Sequence, residues 1–109
     1  MPTIYRVLGQ SAPAATTNTD VYTSPAATQT VISTITVANR AASSATFRIA
    51  IRPGGAAIAN SHYIAFDSIV AANDATNLTL GVTLAATDVV TVYASNTNLT
   101  FSLFGSQIS

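Results

Sequence analysis

The sequence contains no cysteine, no lysine and no glutamate. Without cysteine there is neither a disulfide nor a thiolate metal site, and the redox compartment cannot be read from the chain. Charge of either sign is scarce. Arg6, Arg40, Arg48 and Arg52 stand against Asp20, Asp67, Asp74 and Asp88, for a net charge of zero. Charged residues make up 7% of the chain, where ordinary soluble domains carry roughly 25%. A free monomer of this composition has little colloidal protection, and low charge is typical of interface centres. The composition therefore predicts a surface largely used in contacts with copies of the chain or with a partner. Balanced arginine and aspartate give no basic face for nucleic acid. No apolar run approaches the ~18 residues of a membrane helix. The start, MPTIYRVLGQ, has no basic segment followed by an apolar one, so no signal peptide is expected.

Catalytic groups are equally few. His62 is the one histidine, and it falls in phase with a predicted core face. That placement reads as a hydrogen-bonded structural group, since a nucleophile triad needs a base held by an acid. No GxSxG, P-loop or GxGxxG motif occurs. The chain is read as a non-enzyme with no cofactor and no metal. Asp67, Asp74 and Asp88 lie at three separate strand ends, and Asp74 and Asp88 are expected to accept backbone N–H groups in their turns. Two Asn-Leu-Thr triplets, at Asn77 and Asn98, match the glycosylation pattern but fall in predicted strands.

What the sequence does contain is alternation. A chain of 109 residues is one domain by its length, 1–109, with room for a single two-layer core. In residues 46–52, Phe47, Ile49 and Ile51 alternate with Thr46, Arg48, Ala50 and Arg52, the pattern of a strand with one face on a core. Before it, Ile35 and Val37 alternate with Thr34, Thr36 and Ala38. Val31 keeps that phase and Ile32 breaks it, which predicts a bulge near Ser33. The small residues 39–45 between the runs read as a hairpin with a loop of about five residues.

Further strands are predicted at 3–9, 20–23, 62–70, 76–84, 89–94 and 99–103. Pro25, Pro53-Gly54-Gly55, residues 71–74, 85–88 and 95–98 supply the breaks. Residues 95–98 are expected to close a last hairpin, and Gly81 to mark a bend. No eleven-residue window carries a helical apolar stripe. About eight short strands with regular turns predict an all-β fold, an antiparallel β-sandwich of jelly-roll type. The predicted core is Phe47, Ile49, Ile51, Ile64, Phe66, Leu78, Leu80, Val82, Val90, Val92, Leu99, Phe101 and Leu103. Ile4, Tyr5, Arg6, Val7 and Leu8 put apolar groups on both faces of the first strand, which suggests contact on both sides.

Three stretches carry a resemblance: Val21-Tyr22-Thr23-Ser24-Pro25-Ala26-Ala27 leading into 31–40, Thr46-Phe47-Arg48-Ile49-Ala50, and 84–94, LAATDVVTVYA. Together they resemble small virion proteins of tailed bacteriophages, including those of cyanobacteria. Thr87 stands where a glycine is usual before the aspartate, so that turn is expected to differ. The resemblance implies a structural protein of the particle, a capsid cement or decoration protein. It implies homo-oligomers (dimer or trimer), contact with the major capsid protein, and a place on the capsid surface after synthesis in the host cytoplasm. The alternative is a glycan-binding host-recognition module of the tail. Neither nucleic acid nor membrane is an expected partner. The expected contact residues are Arg48, Arg52, Tyr63, Asp67, Tyr93 and Phe104, all placed on outward phases.

Overall fold

Alternation converts into nine strands among the described residues. The computed structural model describes residues 3–109. Its strands are β1 (Thr3–Ser11), β2 (Thr19–Thr23), β3 (Gln29–Asn39), β4 (Ala45–Arg52), β5 (Tyr63–Val70), β6 (Ala75–Leu78), β7 (Val82–Leu84), β8 (Val89–Ala94) and β9 (Leu99–Ile108). One sheet has the order β1-β9-β3-β6, with β7 also pairing with β3, and the other has the order β2-β8-β4-β5. Every strand pair is antiparallel.

β6 and β7 are one interrupted strand, broken at 79–81, where Gly81 has φ 64°. Counting them together, each position in one sheet is a chain neighbour of the same position in the other: β1 with β2, β9 with β8, β3 with β4, β6/β7 with β5. This is the connectivity of a jelly roll, two Greek keys wrapped into a sandwich.

The core lies between the sheets. Phe47 of β4 and Phe101 of β9 meet edge to face, with ring centroids 6.2 Å apart, the arrangement aromatic quadrupoles favour. Ile32, Ile35, Val37, Ile49, Val90, Val92, Leu99 and Leu103 are buried around them. The bulge predicted near Ser33 is present: the β3–β9 register shifts between Ile32 and Thr34. It lets Ile32 and Ile35 both point inward, each 1% exposed. At one end the interior turns polar. Thr30 is fully buried, and its hydroxyl meets Tyr22 Oη at 2.8 Å and Ser24 Oγ at 2.9 Å.

Several expectations are corrected. Residues 39–45 and 95–98 are not hairpin turns. β3 and β4 belong to different sheets, as do β8 and β9, so both segments are arches across the layers. The buried Asn39 side chain builds the first arch: Nδ2 donates to the Ser43 carbonyl at 2.9 Å and the Ala71 carbonyl at 3.2 Å, and Oδ1 accepts from the Ala41 N–H at 2.9 Å. The two arches lie side by side, with the Arg40 N–H donating to Asn98 O at 3.0 Å.

Ile64, Phe66 and Leu80 are not core residues; they are 42%, 54% and 50% exposed. Shifts in β5 turn Ala65, Ser68 and Val70 toward β4's core face instead, and Leu80 falls in the break at Gly81. Ile51, Leu78 and Val82 pack only partly buried at the core margin. His62 is not on a strand face. It lies in a short 3₁₀ turn, Asn60–His62, where Nδ1 accepts the Ala59 N–H at 3.1 Å. β1 is an edge strand, and Ile4, Tyr5 and Val7 are exposed on it. Of the two Asn-Leu-Thr triplets, Asn77 is on β6 and Asn98 lies just before β9.

Candidate functional site

The outer face of the β2-β8-β4-β5 sheet carries a cluster centred on Arg48. β4 lies between β8 and β5. On the β8 side, Arg48 is directly opposite Tyr93. On the β5 side, Phe47 pairs with Ser68 and Ile49 with Ala65, so two residues, Phe66 and Asp67, face the single Arg48. Two residues opposing one is a β-bulge, and bulges re-aim side chains at sheet edges. Asp67 takes the left-handed conformation this requires, with φ 51°; aspartate is among the few non-glycine residues enriched there.

The bulge delivers a ring and a carboxylate to one guanidinium. Arg48 Nε donates to Asp67 Oδ1 at 2.7 Å and Nη2 donates to Oδ2 at 3.3 Å. The guanidinium carbon lies 4.1 Å from the Phe66 ring centre and 4.4 Å from that of Tyr93, both within cation–π range. Tyr63 meets Phe66 edge to face at 4.9 Å. The Asp67 hydrogen bond pushes the Arg48 pKa above its ordinary value. The cation is thus fixed in place and permanently charged. Asn60, Tyr63 and Phe66 border a shallow depression beside it, and Ile69, 72% exposed, extends the apolar surface along β5.

Four expected contact residues, Arg48, Tyr63, Asp67 and Tyr93, thus come together. Arg52 is on the same strand but is engaged within the chain. Its guanidinium donates to Asp20 Oδ1 (2.9 Å), Thr91 Oγ1 (2.9 Å) and the Gly55 and Ala56 carbonyls (3.2 and 3.0 Å). It ties β2, β8 and the 53–56 turn together. Phe104 is on the outer face of the other sheet, opposite Val7 of β1 and beside Tyr5 and Val31.

Within the cluster, Phe66 is the residue that alternation misassigned. Its signal is Asp67, a charge and turn-former inside an apolar run, which marks the phase change. Asp74 and Asp88 hold their turns as expected: Asp74 accepts the Ala75 N–H at 2.8 Å, and Asp88 accepts the Gly54 and Ala85 N–H groups at 2.8 and 2.9 Å. No group of three or more histidine, aspartate or glutamate side chains suited to a metal occurs among the described residues.

No family model, curated protein or solved structure matches the chain.

The Arg48 cluster presents a fixed cation and three aromatic rings on the outer face of the sheet. Clamped between rings and held by a carboxylate, the guanidinium keeps its charge and its orientation. Tyrosine and arginine held rigid on an exposed face are the side chains that dominate protein–protein contacts, because little rotamer freedom is lost when a partner docks.

Proposed function

We propose that the chain is a non-enzymatic structural protein of a bacteriophage virion, a cement or decoration protein that docks on the capsid through the Arg48 face. What supports the reading is the sequence resemblance together with one observation: a pre-positioned Tyr63–Phe66–Arg48–Tyr93 cluster on an otherwise nearly uncharged exterior. A cement protein works by burying such faces at many equivalent junctions. Jelly rolls occur in viral shells and in lectins alike, so the fold adds an analogy and no more.

The test is the copy number in purified particles. Copies in proportion to the major capsid protein are expected, and the Phe66→Ala chain should be retained less well on particles. A few copies per particle, located on the tail, would overturn the capsid reading.

A specific feature favours a second reading, a host-recognition module of the tail. The depression bordered by Asn60, Tyr63 and Phe66 offers ring faces beside an amide, which suits a sugar ring. Binding of the isolated chain to a glycan array, lost in Tyr63→Ala, would select this reading.

A further inference from the structure

Four strands form the free edges of the two sheets, and three of them are blunted. β2 is five residues long, shifts register between Asp20 and Tyr22, and is followed by Pro25. β5 carries two shifts and the left-handed Asp67. The β6/β7 edge is interrupted at 79–81. Short length, bulges and interruptions keep an edge from pairing with another chain.

β1 has no such device over its first five residues. Thr3 to Val7 pair with Ile108 to Phe104 without a break, and the shift comes only between Val7 and Gly9. Among the described residues no strand pairs with their opposite backbone edge. Arg6, the one charge here, is held by Gln107, with Nη1 donating to Oε1 at 3.1 Å. The apolar side chains are exposed: Ile4 by 47%, Tyr5 by 82% and Val7 by 50%.

We propose that Thr3 to Val7 pairs antiparallel with the same segment of a second copy, across a two-fold axis at Tyr5, joining two sheets into one continuous sheet. This deepens the assembly reading above by naming one interface between copies.

The segment matches itself in one register. Directly opposed residues of an antiparallel ladder share a face, so the axis passes between a residue and its own copy. An axis at Arg6 opposes two guanidinium groups, and like charges across a ladder are destabilising. An axis at Ile4 leaves Arg6 and Val7 outside the described ladder. An axis at Val7 runs into the shift at Leu8. An axis at Tyr5 uses all of Thr3 to Val7: ring beside ring, Thr3 beside Val7, and Ile4 beside Arg6. Phe104 lies across from Val7 on β9, so the two copies would merge Tyr5, Val7 and Phe104 into one apolar strip on the outer side.

The absence of cysteine makes single introduced thiols clean reporters. Directly opposed Cα atoms are about 4.5–5.5 Å apart, within disulfide reach. Under mild oxidation the full chain carrying Tyr5→Cys should form a covalent dimer much faster than one carrying Ile69→Cys, an exposed control on the other sheet. Mixed Ile4→Cys and Arg6→Cys chains should cross-link to each other faster than either does to itself. Tyr5→Lys, which sets two ammonium groups opposite one another, should shift the wild-type self-association toward monomer with an unchanged circular dichroism spectrum.

Tyr5→Cys dimerising no faster than Ile69→Cys would overturn the pairing, as would cross-linking in particles to a different protein. The outcome is separable from the virion reading. An abundant shell protein that fails to cross-link at Tyr5 sinks the pairing alone. A chain that cross-links but is missing from particles sinks the virion reading alone.

Discussion

The Phe66 ring lies against the Arg48 guanidinium, 4.1 Å from carbon to ring centre, and the ring is 54% exposed. A side chain placed this way does more for the surface than for the interior. Phe66→Ala should therefore lower the urea midpoint by only a small fraction of what a core phenylalanine does, while removing most of the binding to particles. Arg48→Lys should weaken binding too, because a lysine ammonium cannot keep the planar contact with two rings and a bidentate carboxylate. Titration of the variants onto particles lacking the protein would measure both effects.

Phe101 supplies the contrast. It is fully buried and edge-on to Phe47. Phe101→Ala should cost about 3–5 kcal/mol, the range for removing a buried ring and leaving a cavity. The expected readout is a lower urea midpoint with an unchanged slope.

Thr87 adopts φ 69° in the turn before Asp88, so the turn keeps the geometry a glycine there would have, though a β-branched residue occupies it. The left-handed region costs a non-glycine residue roughly 1–2 kcal/mol. Glycine gives back about 0.5–1 kcal/mol through its greater freedom in the unfolded chain. Thr87→Gly should raise stability by about 0.5–1 kcal/mol on this balance, visible as a higher melting temperature.

Asn39 is 3% exposed and joins its arch to the Ala71 carbonyl of the β5–β6 connection. Asn39→Ala takes the shared donor from the part-buried Ser43 and Ala71 carbonyls and the acceptor from the Ala41 N–H, at about 1–3 kcal/mol. Asn39→Asp should be worse, since it replaces the donating amide with an acceptor facing carbonyls. Equilibrium unfolding of both variants gives the order.

The Arg48 pKa is raised, chiefly by its hydrogen bond to Asp67. A raised cationic pKa adds stability that is complete below the unfolded-state value and is lost only as pH climbs through the folded one. Both lie far above neutrality, so Arg48 should contribute no pH dependence to particle binding between about pH 6 and pH 9. A binding curve over that range in constant salt checks it.

How far the sequence could be read depended on the kind of information needed. Strand positions and inward faces are local, and Phe47, Ile49, Phe101 and Leu103 declare them by alternation. Even the Ser33 bulge is local, because Val31 and Ile32 cannot both keep phase with Ile35. Which sheet a strand joins is not local. The residues 39–45 look the same whether they fold back within a sheet or cross between two, and the burial of Asn39 shows only in the fold. β5 failed for a different reason. Its alternation suggested one phase throughout, and the shifts around Phe66 and Asp67 answer to β4 across the ladder. The Arg48 cluster was legible as four outward residues, yet its central ring was assigned to the interior.

The pairing of Thr3 with Ile108 also bears on how the molecule reaches its native state. Among the uninterrupted strands, only β4 and β5 are both consecutive and hydrogen-bonded; the other ladders join segments distant along the chain. Closing such long loops precedes any gain from them, so refolding should be slow, on the order of milliseconds to seconds. During synthesis β1 leaves the ribosome before β9, its one partner among the described strands, so both of its edges stay unpaired until β9 follows.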